Sequence, residues 1–274
     1  EALQAKQYID CTGEALLVQR GGWPTVKGRP EDGLTLPMSL MFFVREVAEK
    51  DAIQIPEGWF EALRDKEALP MTSLWEDGPN GHALKIKVPM FDAGNTESLT
   101  AAEIHGRRKM MAVLDYYRKV EKKHWYLDHC APRIGIREGR RTVGEYILTL
   151  EDLRAGRSFD DAIARGVYYL DGHKPDDDKR TYILSPEERK VPPYQIPFRC
   201  LIPKASRNLL VAGRCLSADQ LALSSARVMT TCAMMGQAAG IAAALAISEK
   251  CDPGRLDFGR IRKEVCARGA KLDV

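Results

Sequence analysis

The residues most suited to chemistry lie between Leu209 and Gly240. An apolar strand, Leu209 to Ala212, runs straight into Gly213-Arg214, and a loop carrying Ser217 leads to SSARVMTTCAMMGQAAG (Ser224–Gly240), which holds Arg227, Thr230, Thr231 and Gly236. A glycine just after a buried strand lets backbone come close to a flat ligand. The start of the following helix presents unpaired amides and a positive dipole end to a developing anion. These residues define a chemistry, anion stabilisation beside a flat ligand, without naming the ligand.

Other reactive groups lie outside this stretch. The strand Gln7–Cys11 stops sharply at Thr12-Gly13, as strands do before a ligand-binding turn. Arg133–Ile147 reads as two strand pieces broken near Gly139, which puts Arg137, Gly139 and Arg141 on one face and Glu138 and Arg140 on the other. Either set offers cations to a substrate carboxylate or forms an ion-pair network, and Arg137 is taken to face the pocket. His173 follows a strand, Gly166–Leu170, and an Asp171-Gly172 turn, an end-of-strand position suited to acid/base work. Its plainer reading is an exposed turn histidine. No nucleophile elbow or Ser-His-Asp order supports hydrolase chemistry. Asp176, Asp177 and Asp178 are adjacent carboxylates without ligand spacing and read as a solvated loop.

The elements that must position these groups fit in 274 residues, enough for one large or two modest domains, with 45% hydrophobic and 29% charged residues. A net charge of +3 is too small to mark a nucleic-acid partner. Seven scattered cysteines without CxxC or Cys/His spacing point to reduced thiols in a cytoplasmic protein and to no metal site. EALQAKQ is not a secretory leader. Val228–Ile247 carries no charge, but its Ala, Gly, Thr and Met content reads as a buried core helix, not a membrane span, with Gly236 and Gly240 packed closely on a sheet.

Gly21–Leu36 reads as a loop and Pro37–Val47 as a strand. Ile53–Leu69 is expected to be helical at its centre, and a Pro-Asn-Gly turn precedes a half-buried strand, Ala83–Val88. Ser98–Lys123 is an amphipathic helix with Ile104, Met111, Leu114 and Val120 inward and Arg107, Arg108 and Lys109 on a solvated face. Leu150–Ala155 and Phe159–Arg165 read as short helices, and Leu256–Arg268 as the last helix.

On NLLVAGR (Asn208–Arg214) and Ser224–Gly240, together with YIDCTG, RIGIREGRRTVGEY and YQIPFRCLIP, the chain resembles the FAD-dependent oxidoreductases of the two-dinucleotide-binding-domain type over most of its length. The resemblance implies an α/β fold: residues 1–36 and 194–274 form what remains of an FAD-binding domain, a mixed sheet plus the long Ala/Gly-rich helix, with an interleaved β-rich substrate domain at 37–193. It implies FAD as cofactor and a small organic substrate oxidised or reduced by hydride transfer at the flavin. Asp10-Cys11-Thr12-Gly13 stands at the family's "DATG"-like motif, so Thr12 and Gly13 approach the cofactor, as do Gly213, Arg214 beside the ribityl chain, Ser217, Thr230, Thr231 and Gly236. Through a looser likeness to fumarate-reductase-like flavoproteins, Arg227 lies over the flavin as proton donor or substrate anchor; a structural ion pair is its alternative. Arg137 and His173 fall in the substrate domain. The sequence departs from the family in having no GxGxxG, the motif that cradles the pyrophosphate. The second reading is therefore a non-catalytic fragment or subunit that binds no FAD alone and needs a partner chain carrying GxGxxG. No nucleic-acid or membrane partner is expected.

Overall fold

The computed structural model describes residues 3–56 and 58–273. The first elements are β1 (Tyr8–Asp10), α1 (Leu16–Arg20), β2 (Thr25–Lys27), β3 (Met38–Glu46), β4 (Thr72–Glu76), β5 (Gly81–Val88), α2 (Thr96–Lys119) and β6 (Trp125–Cys130). They continue with β7 (Arg140–Thr142), α3 (Leu150–Arg154), β8 (Ala162–Gly166), β9 (Tyr194–Pro197), β10 (Leu209–Val211), α4 (Gln220–Ala226), α5 (Met229–Glu249) and α6 (Phe258–Ala267).

The chain divides into two compact units, the first from Glu1–Gly33, Glu138–Gly172 and Ile183–Val274, the second from Leu34–Arg137 and His173–Tyr182. Residues 138–172 and 183–193, grouped from sequence with 37–193, cluster with the first unit. The reason is backbone pairing: β7 bonds to β2 and β8 to β9, both antiparallel.

In the first unit the expected mixed sheet is three separate two-stranded pairs, of which only β1–β10 is parallel. Phe159–Arg165, expected as helix, leads into strand β8 because Ala162–Gly166 pairs with β9, and the strand ends where Gly166–Leu170 was to begin. Helix α5 turns Thr231, Met235, Ala238, Ala239, Ala242, Ala243 and Ala246 into the core and packs on β8 and α6. Among the described residues it is the one helix long and apolar enough to cross a bilayer. The close packing expected of Gly236 and Gly240 is not found. A Cβ on either would meet open space, because the alanine stripe, and not the glycines, faces inward.

The second unit is an antiparallel sheet in the order β4-β5-β3-β6 with α2 against β3 and β5. Leu40, Phe42, Val44, Leu84 and Ile86 meet Met110, Val113 and Leu114 in its core. Asn95 caps α2 by accepting the Ser98 amide at 2.8 Å. The inward face of α2 differs in part from the expected one: Leu114 is buried and Met111 packs against the core as expected, and Ala102, Gly106, Met110 and Val113 join them, whereas Ile104 is 50% and Val120 42% exposed. A Cβ at Gly106 would already touch Leu40 and Val88, so small residues set which stripe can approach the sheet. Ile53–Leu69 contains no helix among its described residues; it includes Pro56 and Gly58, and the Ile53 carbonyl is held by Arg118 at 2.7 Å.

Asp176 is exposed, as a solvated loop requires, but Asp177 and Asp178 are half-buried and the backbone after them is tied down. Lys87 Nζ donates to the Lys179 carbonyl at 3.1 Å, Lys179 Nζ donates to the Glu67 and Leu69 carbonyls at 2.7 and 3.1 Å, and Asp178 O accepts the Met71 amide at 2.6 Å. Lys87 is 2% exposed. Burial first, then the Arg137 charge, pulls its amine down from 10.5 to about 8 against the opposing pull of Asp177. The folded chain therefore sheds this proton before the unfolded chain does, and stability rises with pH between those two values. Lys87→Met should be relatively most stabilised, compared with wild type, below pH 8, and that advantage should shrink as pH rises toward 10.5, as read by urea unfolding across this window.

Candidate functional site

Parallel pairing of β1 with β10 sets Asp10 beside Val211, so both strands end at the same edge, at Thr12-Gly13 and at Gly213-Arg214. Both glycines are left-handed, with φ of 76° at Gly13 and 89° at Gly213. The first turn is fixed by Asp10, which is fully buried. Its carboxylate accepts the Thr12 amide and hydroxyl at 2.9 and 2.7 Å and the Leu17 and Val18 amides at 2.8 and 3.3 Å. One side chain thus ties the Thr12 turn to the start of α1. The Thr12 hydroxyl also accepts the Leu16 amide at 3.1 Å.

Arg214 crosses between the strand ends. Its guanidinium lies where a Gly13 Cβ would stand and donates to Glu14 at 2.8 Å, while the Glu14 carboxylate occupies the space a Gly139 Cβ would need. Gly213 differs: a Cβ there would meet nothing within 4 Å. Its left-handed backbone faces open space, as close approach by a ligand requires.

The chain breaks between α4 and α5 at Arg227-Val228. Arg227 caps the end of α4, Val228 is extended and offers α5 no side-chain cap, and Met229 and Thr230 are exposed. The first amides of α5 therefore lack helical acceptors and face outward with the positive end of the dipole. Arg227 Nη2 donates to the Asp171 carboxylate at 3.2 Å and to its carbonyl at 3.3 Å. Burial raises the Cys232 thiol pKa, and Arg214 and Arg227 both pull it down, so the two cations converge electrostatically on the first turn of α5.

Thr12, Gly13, Gly213 and Arg214 are thus brought together at the strand ends, with Arg227 and Thr230 at the helix start. Thr231 is buried, Gly236 faces open space farther along α5, and Ser217 is turned into the core, where its hydroxyl accepts the Gly144 amide at 3.0 Å. Arg137 and His173 belong to the second unit. Arg137 donates to the Pro37 carbonyl at 2.7 Å. His173 is not an exposed turn residue: it is 1% exposed and stacks on Tyr182 with ring centres 4.1 Å apart.

The alternation expected around Gly139 fails because residues 137–139 are not strand. Glu138 and Arg141, placed on opposite faces by that reading, form a buried ion pair. Glu138 also accepts the Gly28 amide at 3.1 Å and Gln220 at 2.8 Å, and Arg141 donates to the Gly28 carbonyl at 2.9 Å. Next to this network a cavity of about 550 Å³ is lined by Arg29, Glu31, Leu150, Asp219, Gln220 and Leu221, and burial pushes the Asp219 carboxyl up. Glu138, read from sequence on the face opposite Arg141, is its ion-pair partner, whereas sequence reasoning missed Gln220, Asp219 and Lys87; the Asp219 cap was the one with a local signal, its position ahead of the apolar run of α4.

The residues present fit one end of FAD. Open space at Gly213 and an uncapped α5 start suit a flat ring with an anionic edge, whereas no GxGxxG exists in the sequence to hold the pyrophosphate. A family model described as FAD dependent oxidoreductase matches residues 1–265. Searches of curated proteins and of solved structures returned no significant match.

The two glycines make a paired test. Gly213→Ala should cost about 1–2 kcal/mol, the strain of a left-handed alanine. Gly13→Ala should cost on the order of 1 kcal/mol more, because it also displaces Arg214 from Glu14. Denaturant unfolding of both variants measures the difference; equal costs would contradict the described packing.

Proposed function

The chain belongs to the FAD dependent oxidoreductase family, and from that premise we propose that it is the ring-facing part of a flavin-dependent oxidoreductase acting on a small organic substrate. The carrying observation is the open, left-handed Gly213 beside the uncapped start of α5. When bound, FAD supplies two-electron chemistry by giving or taking a hydride. The protein's part is to bind, orient and place charge. Gly213 admits the flat ring, Thr12-Gly13 flanks it with the Gly13 space filled by Arg214, and the amides of Met229 and Thr230, with the Thr230 hydroxyl, stabilise negative charge at its edge. Arg214, set by Glu14, steadies the ribityl side. Arg227, oriented by Asp171, anchors the substrate or donates its proton. Arg137 and His173 are proposed for substrate recognition. Ser217 and Thr231 support this wall from within the fold, and Gly236 leaves open space farther along α5.

None of these groups grips a pyrophosphate, so that role falls to a segment carrying GxGxxG, in the same protein or on a partner chain. Such a cradle contributes several charge-assisted hydrogen bonds of roughly 1.5–3 kcal/mol each. By itself the chain should therefore bind riboflavin and FAD with affinities within about tenfold of each other, as measured by quenching of flavin fluorescence. No quenching of either would sink the reading of this wall as flavin-facing; FAD binding tighter by orders of magnitude would place a cradle in this chain. In the complete enzyme, Arg227→Ala should abolish turnover while the flavin absorption band persists, and unchanged turnover would remove Arg227 from the mechanism.

A further inference from the structure

The outward side of α2 in the second unit carries two concavities that share walls. One of about 690 Å³ is lined by Trp59, Phe60, Glu61, His105, Arg108 and Lys109. The other, about 390 Å³, has a nearly all-carbon wall from Pro56, Trp59, Ile104, Met110, Met111 and the stem of Arg108. Trp59 and Arg108 belong to both. Trp59 is 73% exposed, an unusual state for a residue that gains so much by burial.

The charges around these spaces are not equivalent. Arg107 is engaged by Glu103, and Lys109 reaches Asp178 at 3.6 Å. Arg108 has no hydrogen-bond or ion-pair partner among the described residues. His105 leans on Phe91, and burial, followed by Lys109, favours its neutral form. One uncommitted guanidinium thus stands between a polar space and an apolar slot.

We propose that this groove binds a small amphipathic carboxylate, its head on Arg108 and its alkyl or aryl body in the slot of Trp59, Ile104 and Met111. A monoanion matches a single uncommitted cation better than a dianionic phosphate does. A body of several carbons is needed to cover Trp59 and Ile104. The walls are concave, which suits a small molecule and not a flat bilayer. The site lies wholly in the second unit and rests on none of the flavin chemistry.

The test is calorimetric titration of the full chain with decanoate below its micelle concentration, beside decanol, inorganic phosphate and phosphatidylglycerol vesicles, with tryptophan emission recorded in parallel. Decanoate should bind saturably and shift an emission that Trp59→Phe removes. Arg108→Gln, at an exposed position, should weaken decanoate about tenfold and leave decanol unchanged. Decanol binding as well as decanoate, an unaffected Arg108→Gln, phosphate binding tighter than decanoate, or no response to decanoate would each overturn the proposal. Capture by vesicles without a decanoate response would assign the patch to a membrane surface instead.

Discussion

The parallel pairing of Tyr8–Asp10 with Leu209–Val211 is the constraint on which the candidate site depends. Closing so long a loop is entropically costly, though the cost grows only slowly with length. Ala15, Val18, Leu209, Val211 and Cys215 offset it by packing together around the strand pair. Once the strands are joined, their ends leave the pair at one edge, and each needs a left-handed residue to turn away. Glycine at both ends is the cheapest solution. At Gly13 the missing side chain makes room for Arg214, whereas at Gly213 it leaves open space. The same residue type thus serves packing in one strand end and access in the other.

Helix α5 shows how composition underdetermines environment. Its sequence has the apolar length of a membrane span, yet alanines line the face that packs on β8 and α6. Alanine serves there because a short side chain lets the helix axis approach its neighbours and loses no rotamer freedom in doing so. The glycines on the other side do not contribute to that approach.

Much of the fold was legible where the determining signal is local. The strands at 38–46 and 81–88, the length of α2 and the glycine turns at the site follow from alternation, periodicity and the φ that glycine permits. What was not legible depended on distant partners. Residues 162–166 carry a helix-compatible sequence but form strand because β9 pairs with them. Apolar periodicity marks Leu114 on the inward face of α2 but not Ala102 and Gly106, which, weak in hydrophobicity, win over Ile104 by letting the helix sit close to the sheet. At the site, the arginines stood out in the sequence but their partners did not: Glu14 lies 200 residues from Arg214, and Asp171 lies 56 from Arg227.

Those partners change what the arginines contribute. Two guanidinium groups acting unopposed beside Cys232 would be expected to depress a thiol at a helix start. The Cys232 thiol is instead raised, burial outweighing both cations. Glu14 and Asp171 each sit against one of the arginines and offset part of its field. The amides at the start of α5 have no such counterweight, since Val228 supplies no side-chain cap. This edge thus carries the uncapped amides of α5 together with Arg214 and Arg227, donors whose carboxylate partners fix their direction.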